Sequence, residues 1–435
     1  MLRRAIFAIG AFELAVGLTF ACSSFSSEDD PAVLPSSDAV VDPALDVVVP
    51  DGPVPDATAP LCSAFDAAAA VEPSTGVDDY PCGAALMVSL RGNPQHCGWC
   101  GHVCDIPSCV NGVCQPLALV TSPVGSSLEL ERVDDAEVYW VDQSRTPSAL
   151  FKSPIAQPSD ESTATMVVEV DAAESVSTQV YGIAIGSQIY LHTYLRLLHA
   201  PVGGGPLTVF GTTSAGGQVT PLVASGGHLF QTSYEGTGTF VDFESTDAAV
   251  LSRQTNVGFA YDLAATPDGR YAFFIGRKAV DAGVVDGSAT TRAALYRYTV
   301  ATKALTSVAV FDAMNAPGSA LVADDDSVYF PEGVTGSILR VAVDAPPATT
   351  PTVLSKGDGR MIRHVAIDEK RVYWFSSKAP PDYYDWDLSS VDKCGGGDFK
   401  HVAKEDGHSF LPRGFLVHGP YLYWTSRDTV FRVSK

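Results

Sequence analysis

The chain has 435 residues, 50 acidic against 28 basic, a net charge of −22 at pH 7, and 38 glycines and 29 prolines. An acidic chain without clustered cations excludes binding to nucleic-acid phosphates and an unassisted grip on anionic lipid. Few charges and many turn residues favour a turn-rich all-β protein.

Arg3 and Arg4 precede a mostly apolar run from Ala5 to Leu18. That run is too short to cross a bilayer as a helix, and the small Ala21 follows it, which is the order of parts of a secretory signal peptide over residues 1–21. The stretch Leu18-Thr-Phe-Ala-Cys22 resembles the lipobox of bacterial lipoproteins, with Leu18 one step earlier than the usual leucine. The resemblance implies that Cys22 is lipidated and is the first mature residue. With Ser23 next, it implies an outer-membrane or cell-surface lipoprotein, held to the membrane through the lipid anchor only. An ordinary signal peptide would leave the protein periplasmic or secreted.

Residues 22–61 are mostly Ser, Asp, Pro, Ala and Val, with no aromatic residue from Glu28 to Pro60. Such a segment buries too little apolar surface to offset its ordering entropy, so a disordered acidic tether is expected.

Cys62, Cys82, Cys97, Cys100, Cys104, Cys109 and Cys114 follow within residues 62–114. Together with Cys394 they make an even set, and export makes disulfides the default. Spacing alone leaves the connectivity open. The rival is zinc, because Cys97 and Cys100 have ligand spacing with His96 and His102 beside them. No metal and no cofactor is expected. The module is similar to cysteine segments ahead of propellers in uncharacterised bacterial surface lipoproteins.

Residues 115–435 repeat. The cores DDAEVYWVD, IGSQIYLHT, SGGHLFQTS, DGRYAFFIG, DDDSVYFPE, DEKRVYWFS and HGPYLYWTS align Tyr139, Tyr190, Phe230, Phe273, Tyr329, Tyr373 and Tyr423. They recur about every 40–50 residues, the period of a four-stranded propeller blade. A short apolar strand precedes each core, as in LELERV or HVAI, and a third strand follows, as in ILRVAV or TVFRVSK. A fourth closes every unit but the last. Pro116 to Ser122 resembles those fourth strands and has no other place. A seven-bladed β-propeller closed by this N-terminal strand is predicted, since closure hides an aggregation-prone edge. Removing everything up to Gln115 is expected to leave the ring folded, and removal through Ser122 is not.

Tyr139-Trp-Val-Asp142 and Tyr423-Trp-Thr-Ser426 look like the YWTD motif of low-density-lipoprotein-receptor-type propellers, and Thr266-Pro-Asp-Gly-Arg270 like the turn of TolB-type propellers. YWTD rings have six blades, so these resemblances imply the architecture and not a ligand. Lactonase-type propellers hold a cation in the channel with Glu, Asn and Asp; here Asn256 and Asn315 precede inner strands, and no partnering Glu is evident.

Hydrolase elbows, zinc-protease pairs and phosphate loops are missing. Asp324-Asp-Asp326 reads as a solvated turn, and His192, His199 and His228 as satisfied or exposed strand residues. The basic segments entering the last two inner strands carry Arg360, Arg363, His364 and Arg413. At the channel rim these suit an anionic or carboxylate ligand, with Tyr181, Phe259, Tyr261 and Phe410 placed to stack on a sugar or peptide. Internal charge pairing is the competing use of the same cations. The expected function is a surface binding protein for a protein or glycan partner; the alternative is a secreted lactonase-like hydrolase or lyase with a channel site.

Overall fold

The computed structural model describes residues 80–435 apart from short segments, the longest being 171–179, 213–218, 279–291, 313–319, 379–385 and 406–411. The signal peptide, the tether, Cys22, Cys62, Asn256, Asn315, Phe259 and Phe410 lie outside the described residues. No described helix is long and apolar enough to cross a membrane.

Seven antiparallel sheets form the seven blades of an all-β propeller. Their innermost strands are Leu128–Val133, Val180–Ile185, Val219–Ser225, Ala260–Ala265, Val322–Ala323, Met361–Ile367 and Arg413–His418, for blades 1 to 7. Each pairs with the strand that carries the repeated aromatic, which is buried in every blade. These rings fill the seams between neighbouring blades. Tyr139 lies in a cluster with Ile189 and Leu191 of blade 2, and Tyr423 in one with Leu128 and Trp140 of blade 1. Alternation along a strand sends successive side chains into opposite seams, which is why one strand serves two neighbours.

The ring closes as the sequence predicts. Leu117–Thr121 pairs antiparallel with Thr429–Ser434, Val120 opposite Val430 and Thr121 opposite Thr429. Leu119 and Val120 are fully buried there. Ser159–Asp160 adds two residues parallel to this closing strand.

Arginines on the third strands clasp successive blades. Arg297 donates to the Val343 carbonyl (2.8 Å), Arg340 to Lys393 O (2.8 Å) and Arg432 to Ile155 O (2.6 Å). Each stands opposite its blade's repeated aromatic and reaches the end of the next blade's third strand. The Asp five residues before the aromatic works with them. Asp324 and Asp368 cap their turns through backbone N–H groups, accept from the Tyr329 and Tyr373 hydroxyls, and pair with Lys393 and Lys435 of the next blade. The solvated-turn reading of Asp324 is therefore incomplete, because its carboxylate also spans a seam.

The cysteines bond as Cys82–Cys100, Cys97–Cys109 and Cys104–Cys114, and Cys394 is also disulfide-bonded. The module is seated in the wall between blades 6 and 7. Cys97, Cys104 and Cys114 are buried with Phe375, Trp386, Phe415 and Trp424 in one apolar cluster. His102 Nδ1 donates to Cys97 O at 2.6 Å, its Nε2 faces Ser434 O at 3.3 Å, and its ring stacks on Trp99. Burial lowers the His102 pKa. The expectation that the ring stands without the residues up to Gln115 meets this cluster, which their removal would uncover.

Candidate functional site

Six of the seven innermost strands break register with their partner. The breaks bracket Glu131, Tyr181, Thr220–Pro221, Tyr261–Asp262, Arg363 and Gly414. A bulge lifts a residue out of the ladder and re-aims it, and it recurs beside functional sites. Three residues chosen from sequence for the channel rim, Tyr181, Tyr261 and Arg363, thus sit at equivalent places in their blades. The side chains of Tyr181 and Tyr261 lie outside the described atoms.

The cationic residues divide into different roles. Arg360 is ion-paired with Asp387 and, at 3.2 Å, with Asp358, so internal charge pairing accounts for it. His364 Nε2 donates to the Pro412 carbonyl at 2.8 Å, which fastens blade 6 to the entry of blade 7. Arg363 is half-buried in the bulge. Arg413 is exposed and donates to Ser127 Oγ at 2.6 Å, across the seam to blade 1. Gly414 follows at φ +56°, with its Cα so close to Leu130 that a Cβ would meet the Leu130 carbonyl at 2.4 Å. Only glycine lets the two inner strands approach this far.

That approach puts Arg413 within electrostatic reach of Glu129, which in turn acts on a second acid, Glu131; the sequence reading missed both. Leu128 and Leu130 point into the seam with blade 7, so Glu129 faces away from it, and Glu131 occupies the bulge. Glu129 accepts from the Gln143 amide and feels the Arg413 charge. Burial still raises its pKa. Glu131 is raised well above the usual carboxylate range, first by burial and then by the Glu129 charge. The alternation Leu-Glu-Leu-Glu of LELERV was the available signal: with the leucines in the seam to blade 7, the glutamates take the opposite face of the same strand. A third channel-strand acid, Asp262 of blade 4, is 3% exposed and accepts from Ala320 N at 3.2 Å across the seam to blade 5. Burial pushes its pKa up to about 7.

The histidines differ from expectation at one place. His199 meets Gln188 Oε1 at 2.6 Å, and His228 donates to Asp242 at 2.8 Å, which the Tyr298 hydroxyl also bonds. His192 is fully buried, and among the described residues neither ring nitrogen has a hydrogen-bond partner. Desolvation lowers its pKa to about 4, so the ring stays neutral.

No protein-family model matches the chain, and no curated protein sequence matches it. Solved structures do. Virginiamycin B lyase from Staphylococcus aureus, crystallised with quinupristin, is similar with a TM-score of 0.53 at 10% identity, over 74% of this chain and 98% of that one. The β-propeller domain of Cps50 (Swd1) from Myceliophteria thermophila is similar with a TM-score of 0.51 at 11% identity, over 74% and 100%. A chain of the mitotic checkpoint complex gives 0.50 at 13% identity, over 74% and 93%. At these identities the likeness carries the propeller fold and nothing about activity.

Proposed function

We propose that this chain is an exported, lipid-anchored binding protein whose propeller presents the channel rim to a protein or glycan partner at the cell surface. The observation that carries this reading lies at the seam of blades 7 and 1, where exposed Arg413 donates to Ser127 and acts on Glu129, to which Glu131 is electrostatically linked. Fixed donors and acceptors side by side, on strands locked by interblade clasps, suit the hydroxyls of a sugar or the polar backbone of a peptide. The lipobox-like Cys22 would anchor the chain, and residues 22–61 would hold the propeller away from the membrane. Uncharacterised bacterial surface lipoproteins with a cysteine segment before a propeller provide the family frame for this reading, alongside YWTD-like and TolB-like repeats.

The test is capture of glycans and surface proteins by the immobilised full chain, repeated with Arg413→Ala and Glu129→Gln. Loss of the captured ligand in both variants supports the rim; unchanged capture moves the site elsewhere. Labelling of cells with a fatty-acid analogue should tag the wild type and not Cys22→Ala.

A hydrolase or lyase with a channel site is the second reading, and the Glu129–Glu131 pair favours it specifically. Two neighbouring carboxyls, both raised by burial and one raised further by the charge of the other, are the kind of pair that general acid–base chemistry uses. Turnover of any captured glycan or ester that stops in Glu131→Gln while binding persists would decide for it.

A further inference from the structure

The zinc pair suggested by spacing, Cys97 and Cys100, is not the set that the fold assembles, because Cys100 is bonded to Cys82. A different set converges. The Sγ atoms of Cys97, Cys104 and Cys109 lie within 4.8 Å of one another. Cys114 is bonded to Cys104, so two cystines place four sulfurs in one cluster. A tetrahedral zinc thiolate has Zn–S bonds of about 2.3 Å and hence sulfurs about 3.8 Å apart, which is within reach of this arrangement.

The convergence does not rest on the S–S bonds alone. Cys109 and Cys114 face each other across a two-stranded ladder. Main-chain bonds from Cys97 N to His102 O, Cys104 N to Pro94 O, Gly98 N to Leu90 O and Gly112 N to Arg91 O fix the loops that carry the other sulfurs. Gly98 and Gly112 both hold positive φ, and a Cβ on Gly98 would meet Gly112 O at 2.4 Å, so these loops are in direct contact. Phe375, Trp386 and Trp424 press on the cluster from blades 6 and 7. His102 lies with Nε2 3.6 Å from Cys114 Sγ, the place of an outer partner that orients a thiolate ligand.

We propose that, once these two cystines are reduced, Cys97, Cys104, Cys109 and Cys114 form a tetrathiolate site for a soft divalent cation of the zinc type. Two equivalents of a two-electron reductant, a dithiol or a phosphine, supply four electrons and open both S–S bonds, and four protons complete the four thiols. Binding one cation ionises those thiols and releases the protons, so uptake strengthens as pH rises. The oxidised chain takes no ion at this place, because every sulfur is spent in a cystine. The module therefore has two alternative covalent or coordinate staples that hold the same loops, selected by the redox state of the compartment.

The experiment is titration of the full chain with Co(II) under anaerobic conditions after phosphine reduction. The expected result is the sulfur-to-cobalt charge-transfer band and the visible bands of tetrahedral cobalt, saturating at about one ion per chain and displaced by Zn(II). Unreduced protein should give neither band. Cys97→Ser/Cys104→Ser should lose the bands, and Cys82→Ser/Cys100→Ser should keep them. Bands that persist in the first variant, or vanish in the second, overturn the ligand set. A reduced wild type without cobalt bands overturns the site, whether its near-ultraviolet circular dichroism is retained or is lost and not restored by the metal.

Discussion

Arg432 Nε lies 2.8 Å from Asp105 Oδ2, an ion pair between the last strand of the ring and the cysteine module. The same guanidinium donates to Ile155 O of blade 1 and lies 4.5 Å above the Tyr421 ring. One side chain thus joins the module, blade 7 and blade 1, at the seam where the ring closes. Both partners are nearly buried, so removing one strands the other away from water. Arg432→Ala should lower stability by about 3–5 kcal/mol. Urea unfolding followed by tryptophan fluorescence measures it, and a loss below about 1 kcal/mol would show that the pair is solvated in solution.

Truncation distinguishes the module from the tether. A chain that starts at Gln115 loses Cys97, Cys104 and Cys114 from the cluster around Trp386 and Trp424. It should bind an apolar dye and aggregate although its closing strand is intact. A chain that starts beyond Ser122 should fail more severely, because Thr429–Ser434 becomes an open edge. A monomeric, cooperatively unfolding protein starting at Gln115 would restore the view of the module as a separable domain.

The interblade clasp has a separate test. Arg340→Met keeps most of the aliphatic stem and removes the donor to Lys393 O. A carbonyl left without that donor costs about 1–3 kcal/mol. Thermal unfolding should show a lower midpoint with little change in the native circular dichroism spectrum. No shift would mean that water replaces the guanidinium at that seam.

Stability should fall as pH rises. Asp262 and Glu131 both have pKa values raised in the folded chain, Asp262 to about 7, with burial as the first cause. A carboxyl raised on folding contributes its full share below its unfolded pKa and loses it as pH climbs through the folded value. Asp262 therefore weakens the fold from about pH 4 to above pH 7. Asp262→Asn should flatten that limb of a melting-temperature profile measured between these values. An unchanged slope in Asp262→Asn would show that other groups carry the dependence.

Much of this molecule is legible in one dimension. The seven aromatics and the apolar strands before them mark the blades, because each blade repeats the same burial problem and solves it with the same residues. The missing fourth strand and the spare Leu117–Thr121 identify the closure, because an open edge is costly wherever it lies. The cysteine content announces disulfides, but pairing depends on which sulfurs meet in space, and Cys100 joins Cys82 rather than its near neighbour Cys97. Tertiary structure also decided the use of each cation. Arg360 and Arg413 look alike in sequence, yet Asp387 folds back onto Arg360 while Gly414 brings Arg413 across a seam to Ser127 and Glu129. Glu129 and Glu131 read as an ordinary amphipathic strand until the blades assemble and bury both carboxyls beside each other. Charge, burial and seam contacts are properties of blades placed against one another, and only the closed ring brings residues from opposite ends of the chain together.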